Sequence, residues 1–147
     1  MYGTGQGIPM DHAEAVRWYR LAADQGHAEA QRYLGIMYRF GVGLGAAGRA
    51  SAIDRGEAVR WFRLAADQGL ASAQNDLGFM YGTGAGVPQD DVQAHMWANI
   101  AASRSTGEDR ERSVGLRDQI ADELTPDDLS EAQRRAREWD AAHPREP

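Results

Sequence analysis

The hydrophobic and polar positions of the chain recur at a fixed spacing. Residues 14–41 and 57–84 align without a gap, and 20 of the 28 aligned positions are identical. Each copy opens with alanine, tryptophan and leucine at helical spacing, an amphipathic stripe that in the first copy comprises Ala15, Trp18, Leu21 and Ala22. Gly26 or Gly69 follows, and glycine commonly ends a helix in the left-handed conformation. The pattern therefore predicts pairs of helices.

The second helix of each pair is predicted at about 28–40 and 71–83. A weaker third copy covers the first helix only, where Ala94, Trp97, Ile100, Ala101 and Ala102 match residues of the second copy. Successive tryptophans are 43 and then 36 residues apart, so seven extra residues lie within 41–56. We interpret 41–56 as a loop insertion, either a functional surface or slack between repeats.

The rest of the chain is predicted to close the array. A polar helix is expected at 107–123, and Thr125-Pro126 is typical of the start of another, with the N-cap followed by proline in the first turn. The predicted organisation is a half repeat at 1–26, a repeat at 27–69 with its insertion, a repeat at 70–105, capping helices at 106–142 and a frayed tail at 143–147.

These repeats resemble the Sel-one-like repeat (SLR) family, a relative of the tetratricopeptide repeats. The family pattern A-x3-L-G-x2-Y-x2-G-x-G-V-x2-D-x3-A-x2-W-[YF]-x2-A-A-x2-G can be followed from Ala73 to Ser105. It has two losses, because Ala98 replaces an aromatic residue and Ser105 replaces the last glycine. The segment 124–133 is similar to the closing segment of many bacterial members. The resemblance implies an all-α, right-handed α/α superhelical solenoid of helix-turn-helix repeats that acts as an interaction scaffold.

The repeat changes how the amino-acid composition is interpreted. Leucine, isoleucine, valine and phenylalanine total 23 residues, a proportion that together with high charge would be typical of disorder. Alanine and glycine, however, total 42 residues, and many recur at fixed positions of the predicted helices. We therefore expect helices that approach one another closely, with tryptophan and tyrosine filling the remaining gaps.

The residue types exclude several chemistries. All 16 Lys or Arg residues are arginine and there is no cysteine, which removes lysine and thiolate nucleophiles and cysteine metal sites. The G-x-G-x-x-G at 43–48 follows a helix instead of a strand, and the four histidines lack metal-ligand spacing. We predict no enzyme activity, catalytic residue, cofactor or metal.

Charge and hydropathy exclude two further classes of partner. The net charge of −6 argues against nucleic acid, and no apolar stretch has the length of a membrane span. The arginines that recur with the repeat are expected on its outer face, with their stems over apolar surface; these are Arg17, Arg20, Arg60 and Arg63.

The differences between the two copies predict a binding surface. Six of the eight differing positions fall in the second helix, within one arc of about 120° at about 100° per residue. By resemblance this helix lines the concave face of the solenoid. The predicted partner-binding residues are Glu29, Arg32, Tyr33, Ile36, Arg39, Phe40, Asn75, Asp76, Phe79 and Thr83. The alternative is that this arc faces solvent or a neighbouring repeat.

The sequence thus favours a non-catalytic protein- or peptide-binding adaptor. The alternative is a cell-envelope module that binds peptidoglycan or another glycan, because aromatic side chains also stack on sugars. Met1 aligns with Met80, so Val16, Trp18 and Leu21 are expected to lack cover on one side. A homodimer through this half repeat would cover them. A cytoplasmic location is the default, and a periplasmic one would require a signal peptide before Met1.

Overall fold

The computed structural model describes residues 12–42 and 52–145, and within them every regular element is a helix. The bounds are α1 His12–Asp24, α2 Ala28–Phe40, α3 Ala52–Asp67, α4 Ala71–Thr83, α5 Asp91–Ser103, α6 Gly107–Ala121 and α7 Pro126–Ala142. Consecutive helices pack against each other from α1 to α6, and α7 packs on α5. The protein is an all-α helical repeat solenoid.

The predicted second helices are confirmed at both copies. α2 and α4 end before glycines in the left-handed conformation, Gly41 with φ 73° and Gly84 with φ 72°. The glycines between the paired helices, Gly26 and Gly69, also have positive φ, at 91° and 93°. Left-handed geometry is strained for residues with a Cβ, which explains why glycine recurs at these four ends.

The predicted loop insertion at 41–56 is wrong for its last residues. α3 begins at Ala52, so 52–56 are helical, while 43–51 lie outside the described residues. Alanine has high helix propensity, and the acidic Asp54 in the first turn complements the helix dipole. The α4–α5 connection also lies against this turn, and a Cβ on Gly86 would overlap the carbonyl oxygen of Arg55.

Two clusters of buried side chains hold the repeats together. The larger one joins α3, α4 and α5 around Phe62, Leu77, Met80 and Trp97, with fully buried alanines between them. The smaller one joins α1 and α2 to Trp61 of α3. Trp61 and Trp97 therefore pack between neighbouring helices, and the alanines let the helices approach, which accounts for the small share of large apolar residues.

Glycine makes the closest helix crossings possible. A Cβ on Gly35 would lie 2.7 Å from the ring of Phe62, where α2 crosses α3. At the equivalent position of the next repeat, a Cβ on Gly78 would lie 3.1 Å from the carbonyl oxygen of Ala94, where α4 crosses α5. Both contacts are tighter than ordinary van der Waals distance, so the two glycines are packing residues.

Polar contacts inside each unit also recur. Gln31 and Gln74 are buried and donate to the carbonyl oxygens of Ala23 and Ala66, at 3.2 and 3.1 Å. Arginine joins tyrosine in both units, and the pairs are Arg20 with Tyr38 and Arg63 with Tyr81. The prediction that Arg20 and Arg63 lie on the outer face is therefore wrong, because each is half-buried and bonds the second helix of its unit.

The last two helices, α6 and α7, both pack on α5. The hydroxyl of Thr125 accepts a hydrogen bond from the backbone of Asp128, which confirms the predicted N-cap of α7. Trp139 of α7 packs edge-on against Trp97, with ring centroids 5.6 Å apart. The predicted fraying is wrong at His143, whose ring stacks on Trp139 at 3.9 Å and whose carbonyl oxygen accepts from Arg104 at 2.6 Å. Residues 146–147 lie outside the described part.

Two large apolar side chains of α1 are exposed at the other end of the described residues. Trp18 of α1 is 64% exposed, whereas its equivalents Trp61 and Trp97 are 4% and 2% exposed. Leu21 beside it is exposed as well. The expectation of missing cover is thus met at Trp18 and Leu21 and is wrong at Val16, which is buried in the cluster around Trp61.

Candidate binding groove

The even-numbered helices share one face of the solenoid. Cavities lie between α2 and α4 and between α4 and α6, and we call this surface the groove. It takes in the outer arcs of α2 and α4 and the facing arc of α6. The arc on which the two repeats are identical packs inward instead, as the buried Ala30, Gln31, Leu34 and Gly35 of α2 show.

An ion pair connects the two repeats across the groove. Arg32 of α2 donates to the carboxylate of Asp76 on α4 at 2.7 Å. Burial raises the pKa of Asp76 above its ordinary value, although Arg32 and the more distant Arg39 and Arg112 act in the opposite direction. The desolvation cost of this carboxylate is therefore only partly offset, so the pair is weak evidence for a role in stability.

Aromatic side chains stand exposed beside this pair. Tyr33 is 46%, Phe40 55% and Phe79 38% exposed. The guanidinium of Arg39 lies over the rings of Phe40 and Phe79, at 4.8 and 4.6 Å from their centroids. Phe40 and Phe79 come from two repeats and form one patch around Arg39, a planar and weakly hydrated cation.

The remaining predicted residues divide between the groove and the core. Tyr33 leans towards the first unit, with its ring 5.4 Å from that of Tyr19 on α1. Glu29 and Thr83 are exposed, and Asn75 accepts a hydrogen bond from Ser113 of α6 at 2.9 Å. Ile36 is half-buried and packs against the larger core cluster, so the prediction that it is free of packing is wrong. At Ile36, the arc on which the two repeats differ is close enough to the neighbouring helices to contact them.

Sequence reasoning missed one wall of the groove. α6 presents Asp109, Arg112, Ser113, Leu116, Gln119 and Ile120 to the cavities that it forms with α4, and Glu123 follows just after its end. These residues recur at helical spacing, and this spacing was the signal in the sequence by which they could have been identified. They were overlooked because α6 lies outside the repeat and offers no second copy for comparison.

The two cavities differ in chemistry. The first, of about 420 Å³, lies at the N-terminal ends of α4 and α6 and is lined mainly by charged and polar side chains: Arg32, Ser72, Asn75, Asp76, Arg104, Ser105, Thr106, Asp109, Arg112 and Ser113. The second, of about 220 Å³, lies towards their C-terminal ends. Its side chains are Phe79, Thr83, Gln89, Asp91, Leu116, Gln119, Ile120 and Glu123.

Other site types find little support in the described part of the chain. Residues 12–42 and 52–145 contain no group of three histidine or acidic side chains that could hold a metal ion. None of their helices combines the length and apolar character that a membrane crossing requires. The groove, with its charged, polar and exposed aromatic side chains, is therefore the candidate site among these residues.

Solved structures with the same architecture exist. A protective antigen of uropathogenic Escherichia coli strains with an SLR fold is 31% identical, with a TM-score of 0.80 over 95% of this chain and 28% of that one. A Sel1 repeat protein from Oxalobacter formigenes is 32% identical, with a TM-score of 0.60 over 74% of this chain and 39% of that one. The chain thus spans less than two fifths of the length of either protein.

Sequence comparison locates the repeats themselves. No curated protein matches the chain. The Sel1 repeat model matches residues 1–27, 28–70 and 71–105, which is most of the chain, and its second and third matches contain α2 with α3 and α4 with α5. With its three matched repeats and its solenoid of paired helices, the chain belongs to the Sel1 repeat family.

Proposed function

We propose that this chain is a non-catalytic scaffold that binds a protein or peptide in the groove. Sel1 repeats generally mediate protein–protein interactions. The observation that carries the proposal is the exposure of Tyr33, Phe40 and Phe79 on the arc where the two repeats differ. Large aromatic side chains left in water by the fold are typical of interaction surfaces.

The energetics of the patch support this function over a structural one. Tyrosine and arginine are the residue types that most often carry binding energy in interfaces, and truncating such an anchor costs about 2 kcal/mol or more in affinity. Because Tyr33 and Phe79 are 46% and 38% exposed, removing them leaves a smaller cavity in the free protein than truncation of a fully buried aromatic residue would. Their replacement therefore separates binding from folding.

The test is the double variant Tyr33→Ala with Phe79→Ala, compared with Leu64→Ala. Leu64 is an exposed apolar residue of α3, outside the groove, and serves as the matched control. We expect the double variant to lose at least about 30-fold in affinity for a partner isolated by pull-down, while its thermal midpoint stays nearly unchanged. The control variant should bind normally.

Two results would contradict the proposal. A large drop in the thermal midpoint of the double variant would mean that these side chains belong to the core. Recovery of no protein partner, together with retention of the purified protein on peptidoglycan, would assign the groove to a glycan instead.

A further inference from the structure

We propose that the groove selects a short peptide segment in which an apolar side chain lies between an acidic and a basic residue. This inference rests on the proposed function and adds the chemical class of the partner. It follows from the surface between α4 and α6, which has arginines at one end, apolar side chains in the middle and the carboxylates of Asp91 and Glu123 at the other end.

The apolar middle and the acidic end belong to the smaller cavity. Phe79, Leu116 and Ile120 line it, and Phe79 remains 38% exposed. Asp91 and Glu123 stand among the lining residues, and the carboxylate of Glu123 makes no ion pair with any described residue. A lysine or arginine side chain of a partner would pack its aliphatic stem on the apolar wall and bring its charge to these carboxylates.

The basic end belongs to the larger cavity. Three arginines line it: Arg32, which pairs with Asp76, Arg104, which pairs with Asp140 of α7, and Arg112. Arg112 is 65% exposed and is held only by Asp109 at 3.3 Å, one turn away on the same helix. Exposed pairs of this kind contribute little, so Arg112 can exchange its partner for an incoming carboxylate.

The backbone adds to the positive potential at this end. The N-cap residues of α4 and α6, Leu70 and Thr106, both line the larger cavity, and neither side chain caps its helix. The N-terminal ends of two helices thus point their partial positive charge towards the same space. This positive potential adds to that of the arginines. The two ends of the groove therefore differ in the sign of their charge.

The spacing of the two ends defines the length of the segment. Ser72 lines the larger cavity and Thr83 the smaller one, and both lie on α4. Eleven residues of helix rise about 16 Å, which an extended peptide covers with about five residues. A chain of one charge sign, such as a nucleic acid or a polyacidic tail, matches only one of the two ends.

The probes are blocked pentapeptides titrated into 15N-labelled full-length protein and followed by amide chemical shifts. Asp-Ser-Leu-Ser-Arg is compared with Asp-Ser-Leu-Ser-Asp, Arg-Ser-Leu-Ser-Arg and Asp-Ser-Ser-Ser-Arg. We expect the first to bind about fivefold tighter than each of the others, since each lacks one of the three matches. Its shifts should map to α4 and α6.

Charge reversal on the protein supplies the second arm. Glu123→Arg should weaken Asp-Ser-Leu-Ser-Arg about fivefold or more and strengthen Asp-Ser-Leu-Ser-Asp. Glu111→Arg is the matched control, because Glu111 is exposed on the far side of α6 and lines neither cavity. It should leave both affinities unchanged, which separates the local effect from net charge.

Three outcomes would overturn the inference. A peptide of uniform charge could bind best, Glu123→Arg could have no more effect than Glu111→Arg, or none of the peptides could bind. The proposed function is judged separately by the Tyr33 and Phe79 double variant. If that variant loses its protein partner while the peptides fail to discriminate, the scaffold function stands and the charge selection falls.

Discussion

Replacing Gly35 by alanine tests whether helix contact or helix propensity governs the repeat boundary. In an isolated helix the change would stabilise by about 1 kcal/mol. In this structure the new Cβ would lie 2.7 and 2.8 Å from two ring carbons of Phe62 and 3.3 Å from the carbonyl oxygen of Ala58. Phe62 is fully buried, so its ring cannot retreat without displacing the core. Overpacking of this kind costs about 1–3 kcal/mol.

Gly115→Ala is the matched control. Gly115 lies inside α6, and a Cβ there meets nothing within 4 Å, so only the propensity gain remains. The free energies of unfolding of the two variants should therefore differ by the overpacking cost alone, about 1–3 kcal/mol. Thermal denaturation followed by circular dichroism resolves this, since 1 kcal/mol moves the midpoint of a protein of this size by about 3 °C. Equal stabilisation by both substitutions would refute the close α2–α3 crossing.

Three further predictions concern the core and the two ends. His95 occupies the position at which the other two units have valine. Burial and the positive charge of Arg117 lower the pKa of His95 in the folded protein. As pH falls below about 6.5, the unfolded chain therefore binds a proton at this histidine more readily than the folded protein does, and the folded state loses stability. His95→Val should therefore flatten the loss of thermal midpoint between pH 7 and pH 5, and an unchanged slope would contradict the assignment. Trp18 and Leu21 are exposed, and we expect them to pack against the same two residues of a second copy of the chain. Analytical ultracentrifugation should then show a dimer, and the variant Trp18→Glu with Leu21→Glu should be monomeric. A monomeric parent protein would contradict this prediction. Arg104→Ala should lower stability by about 1–3 kcal/mol in denaturant titration, because Arg104 bonds α7 from a largely buried site, and a change below about 0.5 kcal/mol would contradict that.

The helix pairs were predictable because the chain contains its own comparison. Identical residues in two copies locate α2 and α4 to the residue and distinguish the packing arc from the variable one. The start of α3 was not predictable in this way. The stretch before it is glycine- and alanine-rich, and its first helical turn lies against the α4–α5 connection, which comes much later in the chain.

The candidate site was predictable only within the part of the sequence that is repeated. The differing arc led to the ion pair between Arg32 and Asp76 and to the exposed aromatic side chains. Ile36 belongs to the same arc but packs inward, because the angle around an ideal helix does not show how far a neighbouring helix reaches. The wall formed by α6 depends on how the closing helices fold back on the array, and no internal copy records that.

The most direct test of the central claim is hydrogen exchange of the protein with and without a partner isolated by pull-down. Binding in the groove should slow exchange in α2, α4 and α6 and leave α3 and α7 unchanged. Protection confined to α1, α3 or α7 would contradict the account, because it would place the partner outside the groove.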